Sequence, residues 1–403
     1  MFSHYLTAAW RNATRDRLHT IINVLGLAIG LAAAILIVLY LRHELSYDTF
    51  LADHDRVYRV SSQITVRGRP MVWEPSAPEH TSAPLALDFP ELDGVARLSP
   101  DRIGIRHGAV EASDLAYFAD PGFLSVIGLK TIVGDAATAL DAPDSVVLTR
   151  GMARKYFGSD TPLGATLEFN RKDPMRVTAV IEDLPSNTHL ASVIIASGRA
   201  PFSPLMEEDS SEQKPGSFNY SGYLYVRLKP GVPVAALEAR LPDFVKRHFP
   251  GDGDDDGTQP LVLKADPVTS LHLRPYNADM TEPGDPASLT AIGLVGVLII
   301  AIAAVNFVNL MTARAARRAV EVGVRKALGA TRRQLIVQFM GEAVGFAGFA
   351  AVIAIALVEL VLSGFNTLID RHIGFAYWQD PGLALGLLAL VIAARAGAAL
   401  RIG

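Results

Sequence analysis

The apolar positions along the chain fall into two regimes. Three long uninterrupted apolar runs, Ile21–Leu41, Ala291–Leu310 and Ala343–Leu362, stand apart from a long middle region in which no run approaches that length. A helix needs about 20 apolar residues to cross the hydrocarbon core of a bilayer, so each run predicts a span: TM1 at 21–41, TM2 at 291–310 and TM3 at 343–362. A fourth run, Leu383–Ala394, is too short to span alone. Extending it to a weak TM4 at 382–400 places Arg395 well inside, at a cost of roughly 2.5–3.5 kcal/mol near the bilayer centre. The fourth span is therefore expected to be weak.

Between the first two runs, residues 42–288 mix short strand patterns with helical ones. Strands are predicted at Arg56–Val66, Val146–Leu148, Thr166–Phe169, Met175–Ile181, Val193–Ile195, Tyr223–Leu228 and Leu261–Leu263, from β-branched content between turn residues. Helices are predicted at Arg150–Phe157 and Val234–Phe249. The mixed order predicts an α+β domain in two lobes. The fold class is an α-helical transmembrane bundle of three to four spans, with a large α+β extracytoplasmic domain inserted between spans 1 and 2.

Charge sets the orientation. Residues 1–20 predict a cytoplasmic or interfacial helix with Tyr5, Leu6, Ala9, Trp10 and Ala13 on one stripe and Arg11, Arg15 and Arg17 nearby. A cleaved signal peptide is the competing reading, but Tyr40-Leu41-Arg42-His43 follows the run where small residues would be needed, which favours an uncleaved anchor. The loop at 312–334 carries Arg314, Arg317, Arg318, Arg325, Lys326, Arg332 and Arg333 against one acid, Glu321, and is expected on the cytoplasmic side. Val320, Val324, Ala327 and Leu328 share a helical face there, and Gly329 is placed to stop that helix. By charge alone the same loop also suits a plain positive-inside connection wetted by anionic lipid. A short outer loop, Gly364–Pro381, follows TM3. Gly26 and Gly30 form a G-x-x-x-G that permits close helix approach, and Asn306 and Asn309 either pair with another helix or reach the headgroups. Glu342 and Glu359 lie near the span edges, where snorkelling is expected.

Composition narrows the function classes. Hydrophobic content of 50% against 19% charged places the excess in membrane segments, and a net charge of −4 gives no nucleic-acid footprint. With no cysteine, disulfides and thiol catalysis are excluded. Asp252–Gly257 matches half of a calcium loop, but its twelfth position is Leu263 in place of the bidentate Glu, so a solvated acidic turn is expected. Glu207-Glu208-Asp209 reads as a mobile surface loop. His189 and His272 have no ligand-like neighbour at short spacing. G-x-S-x-G, H-E-x-x-H and G-x-x-x-x-G-K-[ST] are all absent, so no catalytic residue, metal or cofactor is assigned, and any ATP hydrolysis must come from another polypeptide.

Particular wordings add to this. Glu321–Ala330 (EVGVRKALGA), Ala8-Ala9-Trp10-Arg11-Asn12 leading into Leu25–Gly30, Tyr47–Phe50, Asp55–Val60 and Ser145–Asp183 (VVLTRGMARKYFG, PLGATLEF, VTAVIEDLP) resemble the MacB/FtsX-like ABC transporter permeases with a MacB-like periplasmic core domain. The resemblance implies a core domain at 42–288 and an FtsX-like permease part at 289–403. It implies a non-catalytic subunit, a homodimer or paired permease, docked on a separate ABC ATPase. The docking residues would be Glu321, Gly323, Val324, Arg325, Lys326, Ala327, Leu328, Gly329, Ala330, Arg332 and Arg333. It also implies the bacterial inner membrane with the N-terminus cytoplasmic, and export or extraction of a peptide, drug or lipoprotein. A membrane-anchored sensor or scaffold whose outer domain binds a ligand or protein is the alternative. It leaves the basic amphipathic loop between two spans unexplained. A membrane-bound hydrolase is disfavoured by the missing nucleophile motifs.

Overall fold

The computed structural model describes residues 17–64, 72–212, 219–220, 222–250, 261–276, 279–317, 323–324, 327–329 and 331–375. The chain divides into two units, Met1–Leu45 with Pro286–Gly403, and Ser46–Asp285. In chain order, helix α1 (Arg17–Leu45) comes first. The inserted domain follows with β1 (Val57–Ile64), β2 (Val72–Glu74), α2 (Ser82–Asp88), β3 (Leu92–His107), β4 (Val110–Ala119), α3 (Phe123–Ile127), β5 (Thr131–Val133) and β6 (Ser145–Thr149). It continues with α4 (Arg150–Phe157), β7 (Thr166–Phe169), β8 (Asp173–Ile181), β9 (Ile194–Ser197), α5 (Pro204–Ser210), β10 (Tyr223–Leu228), α6 (Val234–Glu238), α7 (Leu241–His248), β11 (Leu261–Pro267) and a 3-10 turn, Val268–Leu273. Helices α8 (Pro286–Arg317) and α9 (Arg332–Ile369) close the described chain.

The inserted domain is built on one mixed sheet in the order β11-β1-β10-β3-β4-β9-β6-β8-β5, with β2 beside β1 and β7 pairing both β3 and β8. The pairs β4–β9 and β6–β8 are parallel, and the other named pairs antiparallel. Alternation along the strands decides where the cores lie, because neighbouring side chains point to opposite faces. Val57, Tyr117, Val147, Ile195 and Tyr225 join one core that extends along the sheet and is covered by α3 through Phe123, Leu124 and Ile127. Their neighbours face the other way and divide between two separate cores. Tyr58, Leu224 and Val226 pack with Leu85 and Phe89 of the α2 region and with Leu241 and Phe244 of α7. Phe118, Val146, Leu148 and Ile194 pack with Ala153 and Tyr156 of α4. The sheet thus presents one core on one face and two on the other.

Several expectations are corrected here. The predicted helix Val234–Phe249 is two helices, because Pro242 cannot continue a preceding helix and instead occupies the first turn of α7. The predicted mobile loop at Glu207–Asp209 is helix α5, capped by Ser203, whose Oγ accepts the Leu205 N–H at 3.1 Å. Glu208 is buried and pairs with Arg97 of β3 at 3.1 Å, and Asp209 binds the same guanidinium at 2.6 Å. The long β3–β4 hairpin has no counterpart among the predicted strands. It turns on Gly108-Ala109, with Gly108 at φ +56°, the left-handed value a two-residue hairpin turn accepts from glycine.

In the membrane unit, α1, α8 and α9 are each long and apolar enough to cross a bilayer, over Val24–Leu45, Pro286–Asn309 and Val344–Ile369. α1 packs against both α8 and α9. The helices overrun their apolar runs. α8 continues to Arg317 through an Ala/Arg-rich turn, and α9 already begins at Arg332, because alanine and arginine are strong helix formers. Helix thus reaches Arg317 on one side of the basic segment and resumes at Arg332 on the other. On the other side α9 runs to Ile369, so Gly364–Ile369 is helix and not loop. Residues 1–16 of the predicted N-terminal helix, the Asp252–Gly257 turn and TM4 lie outside the described residues, and residues 17–20 belong to α1.

Candidate functional site

The segment joining α8 to α9 is the first candidate. Gly323 and Val324 are helical, as is Ala327, and the Leu328 N–H donates to the Val324 carbonyl at 3.0 Å, closing a helical turn. Gly329 follows at φ +92°, a left-handed cap that a side chain would strain. Val324 is 55% exposed and Leu328 82%, so the apolar side of this turn faces outward. Val324 and Leu328 thus form an exposed apolar pair one turn apart on a basic segment. Glu321, Arg325, Lys326 and Ala330 lie outside the described residues, and Arg332 and Arg333 open α9.

The second candidate is the packing among the spans. A Cβ at Gly30 would sit 2.8 Å from Ala303 Cβ, too close for a real contact, so α1 and α8 approach through this glycine. At Gly26 a Cβ would lie 3.5 Å from Asn306 Nδ2, an ordinary contact. Asn309 is exposed, one turn further along α8, and Glu359 is exposed on α9. Sequence reading missed the ion pair at the far end of this unit. Glu44, in the last turn of α1, is buried, with Arg371 Nε 3.6 Å from its carboxylate. Asn366 holds the chain that carries Arg371, donating to the Ile373 carbonyl at 3.0 Å and accepting the Ile373 N–H at 3.2 Å. Arg371 fell in the segment read as a plain outer loop, and only its charge hinted at a role.

The third candidate resembles a catalytic relay. His189 Nδ1 is 2.9 Å from Asp48 Oδ2, and its Nε2 is 2.8 Å from the Tyr225 hydroxyl. Burial pushes the Tyr225 phenol well above the ordinary tyrosine value, so it stays a neutral hydroxyl. Tyr225 is fully enclosed and His189 and Asp48 nearly so, which leaves no approach for a substrate. The trio is structural: the Asp48 carboxylate also accepts from Thr188 Oγ1 at 2.6 Å and ties the start of the domain to residues 187–189. Among the described residues no group of three or more His, Asp or Glu side chains could hold a metal ion.

Two family models match the chain. The model of the MacB-like periplasmic core domain matches residues 20–244, more than half of the chain, and the model of the FtsX-like permease C-terminal region matches residues 293–402. The chain belongs to the MacB/FtsX-like permease family. This MacB/FtsX-like permease is thus a membrane protein with apolar spanning helices and a MacB-like periplasmic domain between the first and second. Three solved structures are similar to it over part of its length. A domain assigned to a permease protein from Porphyromonas gingivalis is 20% identical, covering 59% of this chain and 97% of its own, at a TM-score of 0.44. The periplasmic region of MacB from Actinobacillus actinomycetemcomitans is 17% identical, covering 52% and 88%, at 0.37. The extracellular domain of the noncanonic ABC-type transporter YknZ from Gram-positive bacteria is 13% identical, covering 52% and 99%, at 0.35. No curated protein matches the permease.

Proposed function

We propose that this permease is the membrane subunit of an ABC-type complex that passes ATP-driven movement from a separate ATPase to its outer domain. The cargo class is a peptide, drug or lipoprotein, exported or extracted at the bacterial inner membrane. The subunit works as a homodimer or with a paired permease, its N-terminus and basic segment cytoplasmic and its large domain periplasmic. The observation that carries this reading is the outward apolar pair Val324 and Leu328 on a basic turn held between two span helices. A plain connecting loop has no need to expose these two side chains together.

The test uses the full chain in lipid nanodiscs with its cognate ABC ATPase, reading stimulation of ATP hydrolysis. Leu328→Ala removes a side chain whose burial against a partner is worth about 2 kcal/mol, so ATPase binding is expected to weaken roughly thirtyfold. Joint reversal of Arg325→Glu and Lys326→Glu is expected to abolish stimulation while the protease pattern of the outer domain stays unchanged. Stimulation that survives both sets of changes overturns the docking assignment. A protein that binds no ATPase at all is a sensor or scaffold instead.

A further inference from the structure

We propose that Tyr47, His272 and Gly284 form a clasp that makes the segment leaving the first span and the segment entering the second one mechanical unit. Tyr47 stands two residues after the end of α1, and Gly284 two residues before the start of α8. Nothing in the sequence connects them, yet His272 touches both. Its ring stacks on the Tyr47 ring with centroids 3.5 Å apart and planes 2° from parallel. Its carbonyl accepts the Gly284 N–H at 2.7 Å. A Cβ at Gly284 would lie 2.7 Å from His272 Nε2 and 3.0 Å from Leu273 Cδ2, so a larger residue there displaces the ring that Tyr47 rests on.

Both arms of the clasp are anchored. The Asp48 N–H donates to the Asn187 carbonyl at 3.0 Å, and Asn187 Nδ2 donates to the Ser46 carbonyl at 3.0 Å, so Tyr47 has fixed neighbours on either side. Asp48 holds a left-handed φ of +60°, a conformation kept by the bonds its carboxylate accepts. On the other arm, the Asp279 carboxylate takes both terminal nitrogens of Arg59 on β1, at 2.9 and 2.6 Å. A displacement of either lead therefore reaches the other through His272, and the clasp stands whether or not an ATPase drives the spans.

The experiment is hydrogen exchange by mass spectrometry on the full chain in nanodiscs. Tyr47→Leu is expected to speed exchange in the peptide containing Gly284 roughly three- to tenfold, the factor an aromatic pair of this kind is worth, with peptides from β6 and β8 unchanged. Tyr47→Phe keeps the stack and is expected to match the wild type. Coupling free energy is reciprocal, so Gly284→Ala is expected to speed exchange in Ser46–Leu51 by a similar factor. If Tyr47→Leu unfolds the domain, His272→Ala against His272→Phe decides. The alanine variant is expected to loosen both leads and the phenylalanine variant neither. Loosening confined to one lead, in any of these variants, overturns the clasp.

Discussion

Arg59 is a fully enclosed charge in the middle of β1. It cannot shed its proton, so it must be paired where it lies. Asp279 supplies the bidentate carboxylate, and the Tyr276 ring lies 4.6 Å from the guanidinium. Removing one partner of such a pair strands the other, which costs more than the pair contributes. Asp279→Ala is expected to destabilise the outer domain by roughly 3–5 kcal/mol, read from the urea midpoint in pulse proteolysis. Arg59→Met, which removes the fully enclosed charge and leaves an acid whose side chain is 8% exposed, is expected to cost less. A loss under about 1 kcal/mol for Asp279→Ala would mean that Arg59 finds another acceptor. The arginine itself was readable as part of the β1 strand. Its partner lies far along the chain, after the last strand, and no local pattern points to it. Glu208 is the same case: three acidic residues in a row look solvated until Arg97 of β3 is placed beside them.

At the level of elements, the spans meet where side chains are smallest. Gly30→Leu puts a branched side chain where even a Cβ would lie 2.8 Å from Ala303, so α1 and α8 must separate. The expected cost is about 1–3 kcal/mol in a detergent-unfolding titration of the full chain. Gly26→Ala makes only an ordinary contact with Asn306 and is expected to cost less than about 0.5 kcal/mol. Equal effects at the two glycines would contradict the helix register. The spans themselves were plain in the sequence, because a long apolar run has no soluble alternative. Their ends were not, because the alanine- and arginine-rich turn after the second apolar run and the arginine-led turn before the third are as helical as the runs themselves. β3 shows why the outer domain was harder. Ser99-Pro100-Asp101-Arg102 sits in its centre and looks like a turn, while buried Ala96 and Leu98 on one side and Ile103 and Ile105 on the other belong to different cores. The strand serves two cores in succession, and its alternation changes partner half-way.

On the scale of the whole outer domain, a sheet shared by all three cores means that they lose support together. The buried tyrosines offer a way to see this. Burial pushes the phenols of Tyr220 and Tyr223 up to about 12, and those of Tyr117, Tyr225 and Tyr276 also lie above the ordinary value. In the unfolded chain they titrate near pH 10. Between about pH 10 and 12 the unfolded state therefore holds fewer protons than the folded one, and stability falls as pH rises. The loss is at most about 1.4 kcal/mol per tyrosine per pH unit, and less for Tyr220 and Tyr223, which remain partly exposed. Below about pH 10 this contribution is fully present. At the acid end the sign reverses. Burial raises the Asp114 carboxyl, but hydrogen bonds from Lys155 and Tyr156 outweigh it and hold the group below the usual carboxylate range, so its contribution is lost only as pH falls through that lowered value. The phenolate absorbance of these five tyrosines, isolated as the difference from a variant carrying phenylalanine at all five, is expected to stay low on stepping the pH upward and then rise in one transition, coincident with loss of protease resistance across the domain. A gradual rise centred near pH 10, with the domain still resistant, would show that these rings are reached by water in the folded state and that the sheet does not bind the three cores into one cooperative unit.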